Sequence, residues 1–214
     1  MSFMIIPAIL ENKVDNFNQN LKLVMGLKGV RAIQIDFADG KLVPTKTLKI
    51  EEIKLPKSKI SFEAHLMIDE PANFAAYKTA GFTKIIVHYE AFRSELDLEA
   101  AVEEIKRLKM TPAIAVSPTS EVSVIRYHVD TINDYVLLGV TPGKQGQKML
   151  PGTKQRLRVM RDLAPMARID VDGGVNETNI AKLIDNGATS CVVGSGLLKG
   201  DVKENYEKLL EALK

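Results

Sequence analysis

VRAIQIDFADG, residues 30–40, is an apolar run with Gln34 in its middle and Asp36 at its end; Asp39 follows three residues later. Val30, Ala32, Ile33 and Ile35 give it the composition of a buried strand. Alternate side chains of a strand point the same way, so Gln34 and Asp36 share one face. An amide and a carboxylate on a core strand need a reason. Either they do chemistry, or they are only a way of leaving the sheet.

Seven further runs of similar length and composition surround this one. They are MIIPAI (4–9), ISFEAHLM (60–67), TKIIVHYE (83–90), TPAIAVS (111–117), YVLLGV (135–140), ARIDVDG (167–173) and SCVVGSG (190–196). Stretches with helical spacing follow most of them. In 95–109 the spacing puts Leu96, Leu98, Val102, Ile105 and Leu108 on one helix face. In 176–187 Asn176 or Thr178 caps the start of a helix and Gly187 its end, and the C-terminal segment repeats the pattern with Tyr206, Leu209, Leu210 and Leu213. Strands alternating with helices demand parallel pairing through right-handed crossovers. Eight such units in 214 residues predict one α/β domain over 1–214, a (β/α)8 barrel of the TIM type. A doubly wound open sheet is the competing fold, but its Gly-rich fingerprint is missing after the first strand, which ends PAILEN. The polar segment at 40–50 is expected to cover the mouth of the barrel.

Composition narrows the function. The chain is 45% hydrophobic and 26% charged with a net charge of +2, ordinary for a globular protein. It has no block of like charge, which argues against nucleic acid as a partner. No run approaches the roughly 18 apolar residues of a membrane span, and the N-terminus lacks the marks of a signal peptide. The lone cysteine, Cys191, rules out an internal disulfide and is expected to be a buried thiol. These features predict a cytoplasmic protein.

Barrel active sites sit at the C-terminal ends of the strands. There the chain offers Gln34 and Asp36, Glu63 and His65, His88 and Glu90, and Asp170 and Asp172. If the polar faces point inward, Asp36, Asp172 and His65 converge. Two carboxylates and an imidazole suit a divalent metal, and two carboxylates across a substrate suit proton removal on one side and delivery on the other. The bland alternative is that the aspartates only cap their loops. His88 is expected to be structural, His128 to be a surface residue, and Asp39 to stabilise its own turn. Asp170 either supports Asp172 or pairs with a basic residue.

Glycines form the second constellation. They occur in VTPGKQGQ (140–147), at Gly173-Gly174 and in Gly194-Ser195-Gly196, after three successive strands. Gly-rich turns let backbone N–H groups approach an anion, and barrels commonly hold phosphate at the loops after their last two strands. A phosphorylated small molecule is the expected ligand.

With these residues in view, the chain resembles the ribulose-phosphate 3-epimerase family. The matching segments are PAIL (7–10), QIDFADGKLVP (34–44), HLM (65–67), VHYEA (87–91), VTPGKQGQ (140–147), VDGGV (171–175) and VGSG (193–196), in order along nearly the whole chain. The resemblance implies a barrel isomerase of carbohydrate metabolism that interconverts D-ribulose 5-phosphate and D-xylulose 5-phosphate through a metal-stabilised enediolate. It implies Asp36 and Asp172 as the acid–base pair and, with His65, as ligands of a divalent ion such as Zn, Mn, Fe or Co. It further implies Met67, Gly143, Gly146, Gly173, Gly174, Gly194 and Ser195 as the substrate and phosphate site. Members of the family are often homo-oligomers.

The departures cluster in one pocket. Gln34 stands where the family has a metal-binding His, Ala8 where it has Ser, Ala38 and Gly139 where it has Met, and Thr141 where it has Asn. Gln34 therefore either ligates through its amide oxygen, hydrogen-bonds substrate, positions Asp36, or marks a site with weakened or lost metal. Loss of the methionines, with Ala8 in place of Ser, is expected to widen the pocket toward a six-carbon ketose phosphate. Decarboxylases built on related barrels carry Asp-x-Lys-x-x-Asp, which DFADGK at 36–41 does not match. A barrel that binds a phosphorylated sugar without turning it over is the remaining alternative.

Overall fold

The computed structural model describes residues 3–214. Among them, eight strands form where the apolar runs lie: β1 (Met4–Ile9), β2 (Ala32–Ala38), β3 (Ser61–Met67), β4 (Lys84–His88), β5 (Thr111–Val116), β6 (Asp134–Leu138), β7 (Arg168–Asp172) and β8 (Ser190–Val193). They pair in chain order, all parallel, and β8 closes on β1. The crossovers carry helices α1 (Val14–Met25), α2 (Phe74–Ala80), α3 (Glu95–Arg107), α4 (Thr153–Leu163) and α5 (Ile180–Asp185). α6 (Ser195–Leu198) and α7 (Val202–Glu211) follow β8. The connections after β2 and β5 hold only 3₁₀ turns, at Ile50–Glu52 and Val122–Tyr127. The fold is the (β/α)8 barrel.

Strand alternation divides the interior in two. Ile33, Ile35 and Phe37 of β2 join the large apolar layer between strands and helices. Gln34 and Asp36 face the other way, into the barrel. The inward apolar side chains form two small groups, one with Ile86, Ala113, Ala115, Val136 and Leu138, the other with Ile6, Ala8, Ala32 and Val192. Cys191 is buried in the outer layer, as expected.

The rest of the inner face is charged. Parallel register sets Gln34 beside Glu63, Glu63 beside Lys84, and Asp170 beside Ser190. Lys84 Nζ lies 3.0 Å from Asp170 Oδ2, 3.0 Å from Asp134 Oδ1 and 3.6 Å from Glu63 Oε2. Arg168 Nε donates to Asp170 Oδ1 at 3.0 Å, and Ser190 Oγ donates to the same oxygen at 2.6 Å. Asp170 thus pairs with basic residues at the base of the barrel rather than with Asp172. Burial alone would drive the Lys84 ammonium toward neutrality, but Asp170, Glu63 and Asp134 outweigh it and keep it charged. Burial pushes the Glu63 carboxyl up more than Lys84 pulls it down. The cluster thus packs Lys84 and Arg168 against three carboxyl groups, and burial favours the uncharged form of Glu63.

Among the described residues, no helix is long and apolar enough to cross a membrane. Three local expectations fail. Leu210 of α7 is exposed, while Tyr206 and Leu209 hold the buried face. Leu96 is exposed, because residues two apart on a helix point to opposite sides and Leu98 holds the buried one. His128 is buried, its Nε2 3.0 Å from Glu95 Oε2, because the Val122–Tyr127 turn tucks it under the start of α3.

The base cluster generates a paired prediction for urea unfolding. Lys84→Met strands buried anions and is expected to cost about 3–5 kcal/mol. Glu63 has a raised pKa in the folded protein, so its contribution is fully present below its unfolded pKa and is lost as pH rises through the folded one. Glu63→Gln keeps the uncharged form and is expected to be at least as stable as the parent at pH 7. A Lys84→Met variant within about 1 kcal/mol of the parent, or a Glu63→Gln variant that loses stability at pH 7, would contradict this charge assignment.

Candidate active site

The upper layer of the inner face gathers the predicted site. Register pairs Asp36 with His65 across β2 and β3, and Asp172 closes on them from β7. One ligand atom from each of Asp36, His65 and Asp172 lies within 4.8 Å of the others. His65 Nδ1 is 3.1 Å from Asp36 Oδ1 and 3.5 Å from Asp172 Oδ2. Gln34 is fully buried beneath this triangle. Its amide nitrogen donates to Asp172 Oδ2 at 2.8 Å and to Asp36 Oδ1 at 2.9 Å, and lies 3.2 Å from His65 Nδ1. Its Oε1 is buried with no hydrogen-bond partner.

The electrostatics follow from crowding like charges in a desolvated place. Burial and then the neighbouring Asp36 push Asp172 up to about 6, against the opposing pull of His65 and Gln34. For His65, burial opposes protonation, but the hydrogen bond and charge of Asp36, with Asp172 beside it, outweigh burial and raise its pKa. Behind it, His65 Nε2 meets His88 Nε2 at 2.8 Å with the two rings stacked. His88 Nδ1 faces Glu90 Oε2 at 3.4 Å, and Glu90 Oε1 accepts from the Ser117 backbone N–H at 2.9 Å. Burial lowers the His88 pKa, which keeps that ring neutral. One proton assignment serves the whole row: His88 turns Nδ1–H toward Glu90 and accepts the Nε2–H of His65, whose Nδ1–H faces Asp36. Loss of that Nδ1 proton would free the nitrogen to act as a ligand.

The donors fit a divalent cation. An imidazole nitrogen and two carboxylate oxygens lie within reach of one ion, and the Gln34 amide, whose nitrogen faces these atoms, carries an unpartnered oxygen at its other end.

Above these residues opens a cavity of about 330 Å³. Asp36, His65, Met67, Asp172 and the predicted residues Gly143, Gly146, Gly173, Gly174, Gly194 and Ser195 all reach its wall. Gly173 and Gly174 have φ of +100° and +70°, and a Cβ on Gly174 would stand 2.4 Å from the Met149 backbone nitrogen. Only glycine lets the turn after β7 run this close to its neighbour. Three lysines on the same wall, Lys144, Lys148 and Lys199, went unassigned in the sequence. Lys199 Nζ lies 3.3 Å and Ser195 Oγ 3.9 Å from the point where Gly146 would carry a Cβ. Lys144 and Lys148 flank the glycines of 140–147 and could have been read from that spacing; Lys199 could not.

The segment at 40–50 covers the mouth as expected. Val43 packs on Ala38 and Met67, and Thr45 Oγ1 donates to the Gly143 carbonyl across the opening. Asp39 Oδ1 accepts from the Lys41 N–H and Oδ2 from the Asp69 N–H, so it builds its turn. Of the three positions expected to widen the pocket, Ala8 lines the cavity, while Ala38 and Gly139 do not. Ala38 lies under Val43 and Leu42, and Gly139 abuts the Gly173 carbonyl and the Met149 side chain. Neither reaches the cavity wall.

Residues 4–198 match the model of the ribulose-phosphate 3 epimerase family. The ribulose-phosphate 3-epimerase of Aquifex aeolicus is 31% identical over 192 residues, covering 85% of this chain and 84% of the relative. That of Bacillus subtilis is 30% identical over 201 residues, covering 90% of this chain and 91% of the relative. Among solved structures, a tryptophan synthase α-subunit from Pyrococcus furiosus superposes with a TM-score of 0.74 at 16% identity, each chain covered to 97%. A 3-hexulose-6-phosphate synthase superposes with a TM-score of 0.72 at 16% identity, over 98% of this chain and 99% of that one. The structural likenesses carry the barrel alone, while the sequence match carries more: the chain belongs to the ribulose-phosphate 3-epimerase family.

Proposed function

We propose that the chain is a divalent-metal-dependent epimerase that inverts carbon 3 of a ketose phosphate, interconverting D-ribulose 5-phosphate and D-xylulose 5-phosphate. The observation that carries this reading is the pair of carboxylates, Asp36 and Asp172, set with His65 at the floor of a cavity whose wall is rich in glycine backbone and lysine.

The carbon next to a ketone loses a proton only if the resulting negative charge is stabilised. Asp36, His65 and Asp172 would hold a divalent ion, which would supply positive charge to stabilise the enediolate. The chain's own residues do the rest. One aspartate takes the proton from carbon 3, and the other, protonated, returns one to the opposite face. Without a cation, burial and Asp36 push Asp172 up to about 6; a bound cation would favour its carboxylate form, the form a base needs. Backbone N–H groups around Gly146, Gly173, Gly174, Gly194 and Ser195, with Lys199 near them, bind the phosphate and hold the sugar over the carboxylates. His88 holds the His65 ring in its ligand orientation. A sugar-binding barrel without turnover is disfavoured, since two carboxylates this close cost stability when they serve no purpose.

The direct test is epimerisation of ribulose 5-phosphate by purified protein with Mn²⁺, Zn²⁺, Fe²⁺ or Co²⁺ supplied. Turnover abolished by a chelator supports the reading; no turnover with any of the ions overturns it. Asp36→Asn and Asp172→Asn are each expected to lower kcat by at least about 10²-fold in both directions. His88→Ala is expected to weaken metal affinity by about 10–100-fold, read by calorimetric titration, with the phosphate-dependent KM little changed. Unaltered metal affinity in that variant would remove His88 from the site.

A further inference from the structure

Gln34 is the one polar group of the site whose two ends are chemically opposite, and both ends are accounted for by position. Its NH2 group lies 2.8–3.2 Å from Asp172 Oδ2, Asp36 Oδ1 and His65 Nδ1, the atoms that a cation would use. Its carbonyl oxygen, fully buried with the rest of the side chain, has no partner. A buried acceptor without a donor is costly, so a state that engages it is favoured.

An amide nitrogen has no lone pair to offer a metal and its hydrogens repel a cation, whereas the amide oxygen is a good neutral donor. An ion seated on those three atoms lies against the end of the Gln34 side chain, so the NH2 cannot stay where it is. A half-turn of the terminal amide exchanges nitrogen for oxygen with no movement of β2. The amide then satisfies bare carboxylates with one end and a cation with the other.

We propose that Gln34 is the metal-selecting residue of this site, turning its amide to place Oε1 on the bound ion and thereby favouring oxygen-loving cations such as Mn²⁺ relative to Zn²⁺. This rests on the metal-dependent reading above. Selection arises from the exchange of donor. A neutral oxygen in place of a nitrogen donor gives up more affinity for Zn²⁺ than for Mn²⁺. Every ion must also displace the same two amide hydrogen bonds, a common cost that lowers affinity for all of them.

The test is calorimetric titration of chelator-stripped protein with MnCl2 and ZnCl2, using the parent, Gln34→His and Gln34→Leu. The expected result is that Gln34→His raises the Zn²⁺-to-Mn²⁺ affinity ratio by at least about tenfold, while Gln34→Leu weakens Mn²⁺ by about tenfold or more. An unchanged ratio in Gln34→His, or Mn²⁺ binding as tight in Gln34→Leu as in the parent, overturns the selecting role and leaves the metal site standing. Failure of the parent to bind either ion overturns both this inference and the metal-dependent reading. Because affinity is the readout, the result does not depend on which sugar phosphate the enzyme turns over.

Discussion

Two carboxylates within 4.8 Å of each other inside a barrel repel, and the surrounding site is arranged around that repulsion. Asp36 and Asp172 come from β2 and β7, and only closure of the sheet brings them together. Their charge is met by the His65 ring and by the two N–H groups of Gln34. Asp172 still stands near 6. Crowding the two carboxylates raises the proton affinity of Asp172, and the same negative field attracts a cation, which would lower it again.

The barrel carries two polar layers with opposite purposes. At its base, Lys84 and Arg168 neutralise Asp170 and Asp134 with well-made contacts, and the Glu63 carboxyl beside them has its pKa raised by burial. At its top, Asp36, His65 and Asp172 have no matching pair of basic side chains and open into the cavity. Balanced charge makes a structural plug, and unbalanced charge makes a reactive site. The apolar side chains Ile86, Ala113, Ala115, Val136 and Leu138 fill the other half of the interior and keep it dry.

What could be read from the chain follows the range of the interaction. The eight strands were legible because each is a short run dominated by apolar, mostly β-branched residues, and the pairing of Gln34 with Asp36 because it needs only the two-residue period of a strand. The base cluster was not, since Glu63, Lys84, Asp134, Arg168 and Asp170 meet only through the register of four strands. Leu96 was misread by counting apolar residues rather than angles, and His128 because a 3₁₀ turn replaces the helix that would have carried it outward. The effect of Ala38 and Gly139 was misjudged for a related reason: the space lost at one position is taken up by Val43 and Leu42, which lie next to it only in three dimensions. The unpartnered oxygen of Gln34 could not be read from sequence at all.

The central claim is that Asp36 and Asp172 act on opposite faces of one carbon. Running the epimerisation of ribulose 5-phosphate in D2O and following carbon 3 by mass spectrometry and NMR tests it most directly. Two separate carboxylates predict that the first-formed product carries one solvent deuterium at carbon 3 while the remaining substrate stays largely unlabelled. Product that retains its original hydrogen at carbon 3, or substrate and product labelled at equal rates from the start, would contradict a pair of opposed bases.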